Sequence, residues 1–115
     1  MDIRLKRAYE PPSRDDGARI LVERLWPRGV RKEALALDLW LKDIAPSPAL
    51  RTWFAHEPAR FPGFIERYRG ELEANADAVG ELEAWLRRGR TTLVYAARDP
   101  QKNSARVLRD WLRSR

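Results

Sequence analysis

The chain has 115 residues, 43% of them hydrophobic and 35% charged, with a net charge of +6 and no cysteine. That length supports one domain with a real but modest core. The composition excludes disulfides, a thiolate nucleophile and a thiolate metal site, and no apolar run approaches the roughly 18 residues of a membrane span.

The N-terminus, Met1-Asp2-Ile3-Arg4, lacks the apolar stretch of a signal peptide, and the absence of cysteine suits a cytoplasmic protein. Residues 3–8 alternate apolar and charged, the pattern of a half-buried, peripheral strand. Tyr9 to Gly17 is turn chemistry, with Pro11-Pro12, Ser13 and Asp15-Asp16-Gly17. Residues 19–25 begin as a buried strand (Ile20, Leu21, Val22) and end in charge (Glu23, Arg24). The chain then breaks at Trp26-Pro27-Arg28-Gly29, where Pro fixes the backbone and Gly frees it.

From Lys32 the period lengthens. Leu37, Trp40, Leu41 and Ile44 follow i, i+3, i+4, i+7 and predict a helix that Pro46 ends. Ser47-Pro48 restarts a short helix carrying Leu50, Trp53 and Phe54, and His56-Glu57-Pro58 closes it. Phe61, Ile65, Tyr68 and Leu72 predict a third helix, with a break at Asn75-Ala76-Asp77. Val79, Leu82 and Leu86 resume the period, and Arg87-Arg88-Gly89 is a C-terminal stop. Thr91 to Ala97 reads as a second buried strand. After the turn Arg98–Asn103, a last helix over 103–113 turns Ala105, Leu108 and Leu112 inward.

The expected fold is α/β: a single compact domain with a small, mainly parallel sheet of three or four strands packed with helices. The long helical excursion between the strands at 19–25 and 91–97 implies a parallel crossover. It places the turns Arg24–Gly29 and Arg98–Asn103 at the same edge of the sheet, where open α/β sheets bind ligands.

Four groups of residues invite chemistry. Arg24 and Arg28, flanking Trp26 beside Gly29, have the planar forks that suit phosphate or carboxylate. The same residues would also serve a structural ion pair with Trp26 as a lid on the core. Arg98, Asp99, Lys102 and Asn103 lie where a helix begins, so free N–H groups and the positive dipole end face the crevice. Asp99 or Asn103 is equally a helix cap. His56, the single histidine, and Glu23 are further acid–base candidates, with Asp99 the favoured one. Of the five tryptophans, only Trp26 lies in a turn; the others fall on or beside helical apolar stripes. Glycine-rich phosphate loops and metal-ligand spacings are absent, so the sequence implies no cofactor and no metal centre.

The stretch Arg19-Ile20-Leu21-Val22-Glu23-Arg24-Leu25-Trp26-Pro27-Arg28-Gly29 resembles a family signature. With Leu37-Asp38-Leu39-Trp40-Leu41-Lys42, Ala45-Pro46-Ser47 and Leu93-Val94-Tyr95-Ala96-Ala97-Arg98-Asp99, the whole chain is similar to the YeaO-like bacterial proteins of the domain of unknown function 488 group. The resemblance implies an α/β fold and a small cytosolic protein but supplies no reaction. In the wider group the last helix often starts near Cys-His-Arg. Here that region is Asn103-Ser104-Ala105-Arg106, which removes thiol chemistry. No helix-turn-helix pattern is present.

The leading expectation is therefore an anion-binding module for a nucleotide or other phosphorylated small molecule. Arg24 and Arg28 would hold the anion, Arg98 or Lys102 would add charge, Trp26 or Tyr95 would meet an apolar part, and Asp99 and Asn103 would orient groups. The alternatives are nucleic-acid binding through the basic stretch of residues 84–115, which holds nine Lys/Arg against two Asp/Glu, or a protein-interaction module such as a homodimer. No membrane partner is expected.

Overall fold

The computed structural model describes all residues from Met1 to Arg115. Its centre is a four-stranded sheet in the order β1-β4-β2-β3, comprising β1 (Ile3–Arg7), β2 (Ala18–Leu21), β3 (Leu39–Trp40) and β4 (Thr91–Tyr95). Every neighbouring pair is parallel, so the direction of the first strand is settled. β4 lies between β1 and β2, with Thr91 level with Ile3 on one side and Ala18 on the other.

All five residues of β4 are buried, as its apolar, β-branched sequence requires of a strand covered on both faces. The strand alternation sorts the core into two layers. Ile20, Val22, Leu93 and Tyr95 face a large cluster with four helices: α2 (Pro48–Phe54), α3 (Phe61–Glu73), α4 (Ala76–Arg88) and α5 (Ser104–Ser114). Leu21 and Val94 face a smaller cluster with Ala8, Leu35 and the partly buried Trp26 and Trp40. Each leucine fully withdrawn from water contributes roughly 1.5–3 kcal/mol. The large cluster therefore carries most of the fold's stability.

The helices largely follow their sequence signals. Ser47 Oγ accepts from the Leu50 amide at 3.1 Å and Pro48 opens α2. Asn75 separates α3 from α4, and Gly89 caps α4 at φ 142°. The strands expected at 19–25 and 91–97 are shorter, because β2 stops at Leu21 and β4 at Tyr95.

The helix expected through Leu37, Trp40, Leu41 and Ile44 does not form. Instead α1 is a single turn, Lys32–Leu35, ended by Ala36 in the left-handed region at φ 49°. Leu39–Trp40 then pairs with β2, and Lys42–Ile44 makes a 3₁₀ turn. Tertiary bonds fix this extended path. The Asp38 carboxylate accepts from the Arg19 amide at 2.8 Å, and the Trp40 indole donates to the Glu23 carbonyl at 2.6 Å. Those contacts outweigh a helical period that spans only two turns.

The Tyr9–Gly17 loop carries the chain from the C-terminal end of β1 back to the N-terminal end of β2 without a crossover helix. It is pinned by Asp16, whose carboxylate accepts from Ser13 N–H, Lys6 Nζ and Arg19 Nη1. Gly17 turns at φ 64°, and a Cβ there would lie 2.2 Å from the Arg90 carbonyl oxygen.

Candidate functional site

The chain leaves β2 and β4 toward opposite faces. β2 leads to α1, whose Leu35 belongs to the smaller cluster, whereas β4 leads to α5 in the larger one. The gap between their carboxyl ends is thus a topological switch point, where doubly wound sheets open a crevice. A cavity of about 800 Å³ lies there, within the size range of small-molecule sites. Glu23–Arg28, Ala96–Asp99 and Lys102–Ser104 line it, Arg51, Thr52 and Phe54 close it from α2, and His56 from the turn that follows.

The crevice opens because the ladder stops. Val22 N–H donates to the Val94 carbonyl at 3.1 Å, and two residues on, the Ala96 amide donates to the Glu23 carboxylate at 3.1 Å. A side chain has taken the place of a strand partner. Burial pushes the Glu23 carboxyl above its ordinary range, and the Ala96 N–H, Arg51 and His56 draw it back only in part.

The cations around the cavity divide into two kinds. Arg24 is structural: its guanidinium donates to the carbonyls of Ala45 at 3.1 Å and Pro46 at 3.4 Å, tying the end of β2 to the start of α2. Arg28, Arg51, Arg98 and Lys102 are exposed at the rim, and their side chains make no hydrogen bond or ion pair within the protein. Asn103 Oδ1 caps α5 by accepting from the Arg106 amide at 2.9 Å, while its Nδ2 donates to the Asp99 carbonyl at 2.9 Å. The α5 N-terminus, with its partial positive charge, therefore borders the cavity at Ser104.

Other expected site residues are occupied elsewhere. The Trp26 indole borders the cavity, but its Nε1 donates to the Val30 carbonyl at 2.6 Å and its ring packs edge-on against Trp40. Tyr95 is buried in the larger cluster and does not line the cavity. Asp99 accepts from the Gln101 and Lys102 amides, which hold its carboxyl below the usual range. That makes it a poor general base near neutrality. His56 sits in the left-handed region at φ 55°, exposed at the cavity mouth, 5.8 Å from the Phe54 ring centre.

Arg51 is the rim residue that the sequence reading missed. Its one available signal was its place on the polar side of α2, next to Leu50 and two residues before Trp53. No group of three or more His, Asp or Glu residues lies close enough together to hold a metal ion. Among the basic residues near the C-terminus, Arg90 pairs with Asp2 at 2.7 Å, Arg115 with Glu83 at 3.2 Å, and Arg113 donates to the Ile3 carbonyl.

Residues 2–115 match the family described as the inactive DUF488-N3 subclade. The chain belongs to this family. Its relatives include the uncharacterized protein YeaO of Escherichia coli, 45% identical over 114 residues, covering 99% of each chain. The uncharacterized protein Rv3073c of Mycobacterium tuberculosis is 42% identical over 113 residues, covering 98% of this chain and 95% of the relative. The YeaO-like resemblance thus extends over the whole domain, switch-point crevice included. No solved structure matches the chain significantly. No helix is long and apolar enough to cross a membrane.

Proposed function

We propose that this DUF488-N3 domain binds a phosphorylated, nucleotide-like small molecule at the carboxyl ends of β2 and β4. The observation that carries the reading is the set of four unpartnered cations, Arg28, Arg51, Arg98 and Lys102, around one cavity. Like charges gathered there repel one another, and a bound anion relieves that repulsion. The N-terminus of α5 adds a further favourable field for a phosphate.

Binding without turnover fits the groups present. Asp99 is held ionised by two amides, and one oxygen of Glu23 is engaged by the Ala96 N–H. The subclade's description as inactive supports the same reading. The phosphate-facing residues are Arg28 and Arg98, joined by Arg51 and Lys102, whereas Arg24 holds the wall.

Calorimetric titration with pyrophosphate and nucleoside diphosphates at low ionic strength tests this. Wild type is expected to bind, and Arg98→Ala or Arg28→Ala to bind about tenfold more weakly, the loss of one charge-assisted hydrogen bond. Affinity falls as salt is raised. A wild-type protein that binds none of these ligands at low salt sinks the proposal.

A further inference from the structure

Glu23 is costlier than the fold requires. Its Oε2 accepts from the Ala96 amide at 3.1 Å where the β2–β4 ladder has ended. A neutral glutamine would offer the same acceptor without placing a charge in a half-buried position. What the carboxylate adds is a second oxygen, Oε1, which has no partner in the protein, on a side chain that lines the cavity. A half-buried carboxylate whose second oxygen opens onto the cavity accepts hydrogen bonds from whatever fills the space beside it.

We infer that the cavity selects guanine nucleotides, with Glu23 accepting from the N1–H and 2-amino group of the base while the rim cations hold the phosphates. This rests on the anion-binding reading above. The base edges discriminate sharply. Guanine presents two adjacent N–H donors that match the two lone-pair faces of a carboxylate. Adenine and cytosine set a donor beside an acceptor, and uracil flanks its one N–H with carbonyls. An acceptor facing a carboxylate is repelled, which is discrimination by mismatch as well as by match. The charges are sorted by depth in the same sense: Glu23 is withdrawn, and Arg28, Arg98 and Lys102 are exposed. Leu25 and the half-buried Trp26 give the apolar wall that a planar base needs. The volume of about 800 Å³ is ample for one nucleotide.

The test compares guanosine, inosine and adenosine 5′-diphosphates with pyrophosphate, titrated into wild type and Glu23→Gln. Glutamine keeps an oxygen for the Ala96 amide but turns a donor toward the cavity. The variant is expected to melt no lower than wild type, since the half-buried charge is gone. Wild type should bind the guanine ligand at least about tenfold tighter than the adenine one, as one matched bidentate pair supplies, with the inosine ligand between them. Glu23→Gln should lose that preference and keep its affinity for pyrophosphate. If wild type binds all three nucleotides and pyrophosphate alike, the base reading is overturned and the anion site stands. If it binds none of them, pyrophosphate included, both fall. Should Glu23→Gln misfold, the guanine-to-inosine ratio in wild type decides alone, because those ligands differ only in the 2-amino donor.

Discussion

Asp16 shows how much one carboxylate can organise. It is 6% exposed and accepts from Ser13 N–H, Lys6 and Arg19, while Arg19 also donates to the Leu35 carbonyl. Burial alone would raise its pKa, but the Ser13 amide and the two cations prevail and hold it below 3.8. A lowered folded value means that the stability Asp16 supplies is complete above the ordinary carboxylate range. It is lost as pH falls through the lowered value. Asp16→Asn leaves Arg19 buried without a counter-charge and should cost about 3 kcal/mol at pH 7 by urea unfolding. As pH falls through that lowered value the deficit relative to wild type should narrow, because wild type then loses its charge as well. A deficit that stays equal as pH falls would show that packing, not the ion pair, holds the loop. None of this was legible beforehand: Asp15-Asp16-Gly17 reads as turn chemistry, and only the fold brings Lys6 and Arg19 to it.

At the level of elements, the helix termini obeyed local rules and the middle of the chain did not. Ser47-Pro48, Arg87-Arg88-Gly89 and Asn103 carry their cap chemistry in a few adjacent residues, so they could be read directly. Leu37, Trp40, Leu41 and Ile44 fit a helical stripe, yet β3 takes only Leu39–Trp40. A two-residue strand has no period of its own to detect. Its existence depends on β2, the Asp38 carboxylate and the Trp40 indole, all tertiary effects. Asn103 belongs to both worlds, since it caps α5 and spans to the Asp99 carbonyl. Asn103→Ala should lower stability by about 1 kcal/mol, seen as a fall of roughly 4 °C in Tm for a domain of this size. It should also weaken phosphate binding, because the α5 N-terminus loses its fixed place at the cavity. Unchanged melting would show that the Asn103 cap adds nothing to α5.

Across the whole molecule, the sheet joins the two ends of the sequence, pairing Ile3 with Thr91 and Arg7 with Tyr95. The parallel relation of β2 and β4 was legible in the order of the elements and matters most, because parallel neighbours must release their loops at one edge. The opposite departures of α1 and α5, which open the crevice, were not visible, since they depend on which face each helix packs against. Arg51 reaches the rim for the same reason, through the docking of α2 rather than any nearby motif. The ending of β2 has a further, optical consequence. The Glu23 carbonyl accepts a hydrogen bond from the Trp40 indole, Trp40 lies edge-on to Trp26 with ring centres 5.3 Å apart, and Trp26 borders the cavity. A ligand bound in the crevice as proposed would therefore lie beside a pair of natural fluorophores. Ligand addition should shift or quench tryptophan emission, and Trp26→Phe should remove most of that change while binding persists by calorimetry. The protein would then report its own saturation without a label.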